Sequence, residues 1–115
     1  MESAMEWSNA EKKIARRAFE AALEKALAAA LAEFKRRAAA VSTASEMWTI
    51  GEDLHRQRRE IDQRFDYRYS QLTHVFAELI HAGLMDEIAL AGLAEAKRAD
   101  IQRALSFLKR RDRTE

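Results

Sequence analysis

Residues 8–41 read SNAEKKIARRAFEAALEKALAAALAEFKRRAAAV, and this stretch decides the fold. Ser8 and Glu11 stand at the spacing of a capping box, in which each side chain accepts a hydrogen bond from the other residue's backbone N–H. Apolar or small residues then recur every three or four positions from Ile14 to Val41, as on one face of a helix. The stretch therefore predicts a helix over about 9–41, roughly 50 Å long at about 1.5 Å per residue.

A second helix is predicted from Ser45 to Gly83. Thr43 and Glu46 form a second capping box, and Gly83 is suited to the left-handed position after a helix. The apolar stripe between them is Met47, Ile50, Leu54, Ile61, Phe65, Leu72, Phe76 and Leu79. Asp86 can cap a short third helix, and a fourth begins near Leu93.

These elements predict an all-α protein with a single helical domain over 1–115, a stalk over about 8–82 and a small head over about 70–110. The chain has no proline and three glycines, which favours long helices. Two helices of the predicted length exceed the diameter of a compact domain of this size, roughly 35 Å. Their apolar faces therefore need a partner, and an elongated homodimer is the simplest symmetric assembly. A monomeric four-helix bundle is the alternative.

The dimer interface is expected on the apolar faces of both long helices. Its predicted residues are Leu27, Leu31, Phe34, Trp48, Leu54, Arg58, Ile61 and Phe65.

Overall composition narrows the functional classes. Twenty basic and nineteen acidic side chains give a net charge of +1, so nothing in the balance calls for a nucleic acid partner. The absence of cysteine excludes disulfides and cysteine-ligated metal. No apolar run reaches the roughly 20 residues of a membrane span, and the first residues lack the pattern of a signal peptide. We expect no membrane insertion and a cytoplasmic location.

Residues 58–70, RREIDQRFDYRYS, interleave arginines, acids and aromatic residues. The acids would repel a phosphate backbone, which argues against nucleic acid binding. Arg58 and Arg68 interrupt the apolar stripe of the second helix, so each guanidinium must extend to solvent, pair with a carboxylate or face a partner. Asp62 lies four residues beyond Arg58 and is within reach.

A neighbouring face of the same helix combines an aromatic residue with charges. Its predicted members are Trp48, Glu52, His55, Arg59, Asp62 and Asp66. This composition resembles an interface hot spot, although Trp48 could equally be a core residue.

Enzymatic and metal sites have little support. Glu78 and His81 form one Glu-x-x-His unit, whereas a di-iron helical bundle needs two units and two further carboxylates. Asp62 and Asp66 lie one turn apart, but no nucleophile accompanies them. We predict no catalytic residue, no metal and no cofactor; a di-metal protein built on Glu78 and His81 is the third-ranked alternative.

Several short motifs in order resemble the fluorescence recovery protein family of cyanobacteria. They are Trp7-Ser8-x-Ala10-Glu11, Trp48 with Arg58 and Glu60-Ile61-Asp62, Asp66-x-Arg68-x-Ser70, Val75-Phe76-Ala77-x-Leu79, Gly83-Leu84, Leu90-x-x-Leu93 and Lys97. The resemblance extends from Trp7 to about Leu105. It implies a non-enzymatic, all-helical homodimer that binds the C-terminal domain of the photoactivated orange carotenoid protein. Such a protein accelerates the red-to-orange reversion of its partner and ends quenching of phycobilisome fluorescence.

The resemblance also implies where a partner binds. The expected partner-binding residues are Trp48, Glu52, Arg58, Asp62, His74, Phe76 and Lys97. The family typically carries a His-Asp pair three and four residues after the tryptophan, where this chain has Gly51 and Glu52, and His74 stands where an aromatic residue is expected. The alternative function is a homodimeric interaction protein of the same family, non-cyanobacterial or ancestral, with an unrelated partner.

Overall fold

A computed structural model describes residues 6–114, and among these residues it contains helices and no strand. The helices are α1 (Asn9–Ala39), α2 (Ala44–Arg64), α3 (Leu72–His81), the short 3-10 helix η1 (Glu87–Leu90) and α4 (Glu95–Thr114). The chain measures 57 × 35 × 22 Å and has a radius of gyration of 17.2 Å. The prediction of an elongated all-α chain with two long helices is confirmed.

Side chains cap both long helices. The Glu11 N–H donates to Ser8 Oγ over 3.1 Å and the Ser8 N–H donates to Glu11 Oε1 over 3.0 Å, so the first capping box is confirmed. At α2, Thr43 Oγ1 accepts from the Glu46 N–H over 3.1 Å. Glu46 Oε1 accepts from the Ser42 N–H over 2.8 Å. These hydrogen bonds fix where α1 and α2 begin. The second capping box is only half formed, because the hydrogen bond that the Glu46 carboxylate accepts comes from the N–H of Ser42, one residue before the N-cap residue Thr43.

The prediction of one continuous helix from Ser45 to Gly83 is wrong, because α2 ends at Arg64 and residues 65–71 are not helical. The rings of Phe65 and Tyr67 pack edge-on against Phe19 of α1, with centroids 5.4 and 4.8 Å away. Tyr69 packs against Trp7 at 5.6 Å. Packing of the Phe65 and Tyr67 rings against α1 offsets the free energy of the backbone hydrogen bonds that a continued helix would make.

The break changes the predicted helical faces. Asp66 lies outside α2 and therefore does not extend the face of Trp48. Arg68 does not interrupt a helical stripe, because it lies between α2 and α3. Its guanidinium pairs with Asp66, with Nη2 2.6 Å from Oδ2. This hydrogen bond, with the charge of Arg68, lowers the pKa of Asp66.

Helix α3 ends as the sequence predicts. Gly83 has φ 79°, and the N–H groups of Gly83 and Leu84 donate to the carbonyls of Ile80 and Leu79 over 3.0 and 2.9 Å. This pair of bonds is a Schellman motif, which needs the left-handed glycine. Asp86 then accepts from the Ile88 N–H over 3.1 Å and caps η1.

The hydrophobic core lies at one end of the elongated molecule, where α3, η1 and α4 pack against the first half of α1. Its largest fully buried side chains are Leu72, Phe76, Leu79 and Leu105. From α1 it contains Ala15, Ala18, Phe19 and Ala22. The head is thus built on the N-terminal half of α1 as well as on the C-terminal helices, and the stalk is the remainder of α1 with α2.

A buried ion pair ties α1 to the start of α4. Lys97 Nζ lies 3.2 Å from Glu11 Oε1, donates to the Glu6 carbonyl over 2.5 Å and sits 5.0 Å from the ring centroid of Trp7. Glu11 Oε2 also accepts from the Ala94 N–H over 2.9 Å. Every group of this pair is hydrogen-bonded, as a buried charge requires.

None of the helices in residues 6–114 has the length and apolar character needed to cross a bilayer.

Candidate partner-binding surface on the stalk

In a single chain, the stalk leaves large apolar side chains exposed to solvent. Among the described residues, α2 buries only Ile50, and the buried residues of α1 end at Ala22. Large apolar residues beyond these points remain open to solvent: Leu27 at 50 %, Leu31 at 53 %, Phe34 at 37 %, Met47 at 48 %, Trp48 at 66 % and Leu54 at 37 %. Large apolar side chains exposed together on one part of a molecule are typical of an interaction surface.

Part of this surface is a groove where α1 and α2 meet. The groove has a volume of about 440 Å³ and is lined by Phe34, Ala38, Val41, Met47, Trp48, Ile50, Gly51 and Leu54. The groove is open beside Gly51, where a Cβ built on the backbone would have no neighbour within 4 Å. We call these eight residues the stalk groove.

An ion pair between the helices holds the stalk groove in shape. Arg37 Nη2 of α1 lies 2.9 Å from Asp53 Oδ2 of α2, and Asp53 Oδ1 also binds the Arg56 guanidinium. The hydrogen bonds from Arg37 and then Arg56 lower the pKa of Asp53. Spacing along the sequence could not reveal this pair, because its members belong to different helices.

Charged residues border the stalk groove on the side of Trp48. The adjoining shallow surface is lined by Trp48, Gly51, Glu52, His55, Arg56 and Arg59. It brings together the predicted group of Trp48, Glu52, His55 and Arg59. Trp48, which could have been a core residue, is exposed. An exposed tryptophan between an apolar groove and a charged rim has the composition of a binding hot spot.

Arg58, Ile61 and Asp62 lie further along α2. Arg58 and Asp62 are exposed, and in the described part of the chain neither makes an ion pair, including the pair with each other that their spacing allows. Ile61 is half-buried. The guanidinium of Arg58 is therefore available to a partner.

Three other predicted residues lie in or beside the head. Phe76 is fully buried and Lys97 is 4 % exposed. The structure corrects the expectation that Phe76 and Lys97 contact a partner directly. The head core encloses Phe76, and the ion pair with Glu11 encloses Lys97. His74 is exposed, with Nε2 3.7 Å from Glu78 Oε2. Phe65, expected in a dimer interface, is half-buried and packs against Phe19 of its own chain.

The Glu-x-x-His unit is divided between two contacts. His81 Nε2 lies 2.6 Å from Asp112 Oδ2 of α4, whereas Glu78 faces His74. Within residues 6–114 no three His, Cys, Asp or Glu side chains converge as metal ligands would. The arrangement favours a structural link between α3 and α4.

Comparison with known proteins agrees with this architecture. The sequence profile of the family described as "Photoprotection regulator fluorescence recovery protein" matches residues 7–106. The fluorescence recovery protein of Synechocystis sp. PCC 6803 is 32 % identical over 96 residues, which are 84 % of this chain and 88 % of that protein.

Solved structures of such proteins superpose closely on this chain. That of the Fremyella diplosiphon fluorescence recovery protein has a TM-score of 0.82 at 33 % identity, covering 86 % of this chain and 97 % of its own. That of the Synechocystis sp. PCC 6803 protein has the same TM-score at 31 % identity, with the same coverage. The chain therefore belongs to the fluorescence recovery protein family of photoprotection regulators.

Proposed function

We propose that this protein is a homodimer that binds the C-terminal domain of the photoactivated orange carotenoid protein and accelerates its red-to-orange reversion. The reversion ends the quenching of phycobilisome fluorescence. The family description supports a photoprotective role. The observation that carries the proposal is the 66 % exposure of Trp48 at the border of the stalk groove.

Dimerisation accounts for the remaining apolar surface of the stalk. Leu27, Leu31 and Phe34 extend along α1 from the stalk groove, and a second copy could cover them with its own equivalent residues about a two-fold axis. Arg58 then lies at or near the seam, where a carboxylate of either partner could pair with it. A dimer would present two copies of the surface around Trp48.

Acceleration requires only differential binding. A regulator that binds the structure on the return path more tightly than the activated state lowers the barrier by the difference in free energy. Each tenfold increase in rate needs about 1.4 kcal/mol. That amount is within reach of one exposed tryptophan that becomes buried in an interface. No covalent step by this chain is needed.

The test is the dark decay of the red form, followed by absorbance after a light pulse. Excess protein should shorten the decay, and Trp48→Ala should remove most of the acceleration. Ile88→Ala is the matched control, since Ile88 is 76 % exposed on the head and lies outside the stalk groove.

An unchanged decay with excess wild-type dimer would overturn the assignment and favour the alternative, a family member with an unrelated partner. Acceleration that Trp48→Ala leaves intact would instead retain the function and remove the proposed site.

A further inference from the structure

A basic groove lies on the head side of α1, far from the stalk groove. It is formed by Lys12, Lys13, Arg16 and Arg17 facing Tyr67 and Tyr69, and it has a volume of about 660 Å³. The whole chain carries a net charge of +1, so four cations within six residues are a local concentration. All four side chains are exposed.

This placement of cations is unfavourable for the isolated helix. Two pairs of positive charges lie at the i,i+4 spacing, Lys12 with Arg16 and Lys13 with Arg17. Such pairs of equal charge destabilise a helix. Lys12 also lies in the first turn of α1, where the helix dipole favours negative charge. Local rules broken without a gain for folding are typical of binding sites.

The chain itself offers these cations little compensation. Arg16 lies 3.9 Å from Glu20 with both side chains more than half exposed, a contact that solvent screens strongly. Among residues 6–114, neither Lys13 nor Arg17 makes an ion pair.

Aromatic rings hold two of the cations in position. The Arg16 guanidinium sits 4.0 Å from the ring centroid of Tyr67, and Lys12 Nζ sits 5.3 Å from that of Tyr69. Such cation–π contacts order long side chains without neutralising their charge. The groove thus presents two ordered cations beside two unpaired ones.

We propose that the basic groove binds an acidic segment of a partner protein. Glu20 and Glu24 line the same groove towards the C-terminal side of α1. They would repel a uniformly charged phosphate strand, whereas a peptide can place its acidic residues on the cations and neutral residues beyond them. Arg16 lies 18 residues before Phe34, about 27 Å along the helix, so this site is separate from the stalk groove and does not depend on the proposed function.

The test measures binding of a fluorescently labelled peptide, a short oligoglutamate segment followed by neutral Gly-Ser residues, to the full chain by fluorescence anisotropy at low salt. Lys13→Glu/Arg17→Glu should weaken binding by about tenfold or more, because two favourable charges become repulsive. Lys109→Glu/Arg110→Glu is the matched control, since it changes the net charge equally at exposed positions of α4. Far-UV circular dichroism verifies the fold of each variant.

A second variant, Lys13→Gln/Arg17→Gln, neutralises the charges without reversing them, and it should give an intermediate loss. Unlabelled inorganic polyphosphate should displace the labelled peptide less well than the same peptide without the label at equal charge, because only the peptide places neutral residues beside Glu20 and Glu24. Equal weakening by the α4 control, no binding by the wild type, or tighter binding of polyphosphate would each overturn the proposal. None of these outcomes bears on the carotenoid protein assay, which tests a different surface.

Discussion

Leu31→Glu should convert the proposed dimer into a monomer. Burying a leucine side chain completely contributes about 1.5–3 kcal/mol. Because 53 % of Leu31 is exposed, covering it by a second copy would contribute about 1 kcal/mol per chain. A two-fold interface contains the residue twice, so its loss weakens association by about 2 kcal/mol.

The introduced carboxylates add a second cost. Two glutamates brought into an apolar interface without partners lose hydration, which costs at least about 2 kcal/mol more in total. The sum is about 4 kcal/mol, and with about 1.4 kcal/mol for each tenfold change the dissociation constant should rise about 1000-fold. The helix itself should persist, since position 31 is exposed and glutamate is a good helix former.

Size-exclusion chromatography with light scattering measures the result directly. The wild type should have twice the monomer mass of 13.2 kDa at micromolar concentrations, and Leu31→Glu should have the monomer mass. Ile88→Glu makes a comparable apolar-to-acid change on the head and should leave the dimer intact. A Leu31→Glu protein with the wild-type mass, or a wild type that is monomeric throughout, would refute the assignment of this face to a dimer.

Three further predictions concern the head, each tested at fixed protein concentration. Lys97→Met should lower the free energy of unfolding by about 3 kcal/mol in urea titrations, because it leaves the Glu11 carboxylate buried without its cation. Burial raises the pKa of Glu11, but hydrogen bonds from Ser8, Ala94 and Lys97 outweigh it and the pKa lies below its ordinary value. An unfolded glutamate has a pKa of about 4.3, so the stability that the Glu11 carboxylate contributes is complete above that pH. It is lost as the pH falls through the lower pKa of Glu11 in the folded chain. In urea titrations over that pH range, the Glu11→Gln variant should lose less free energy of unfolding than the wild type does. Gly83→Ala should cost about 1 kcal/mol in thermal unfolding, because its φ of 79° is strained for alanine.

Local signals in the sequence are strong enough to predict most helix ends. Ser8, Thr43, Asp86 and Gly83 each act through hydrogen bonds to residues only a few positions away, so their identity and spacing indicate the cap. The break after Arg64 has no such signal. Residues 65–71 contain neither glycine nor proline, and what ends the helix is packing on Phe19, more than forty residues earlier in the chain.

The same distinction separates the site residues that sequence could place from those that it could not. Helical projection groups Trp48, Glu52 and His55 correctly because all three lie within one unbroken helix. The family resemblance predicts that Phe76 and Lys97 contact a partner, but whether a side chain is buried depends on packing between helices. Lys97 is enclosed because Glu11 of α1 reaches the start of α4, a contact that no periodicity can indicate.

The distribution of burial predicts that the two parts of the molecule depend differently on the proposed dimerisation. The head has its own core and a buried ion pair that is fully hydrogen-bonded, so its stability rests on contacts within one chain. The stalk has one buried residue in α2, and its apolar side chains gain from burial only when a partner covers them. Substitutions in the head should therefore change unfolding with little dependence on protein concentration. Those in the stalk should change assembly first, and their effect on stability should grow with concentration, because association stabilises the folded chain by mass action.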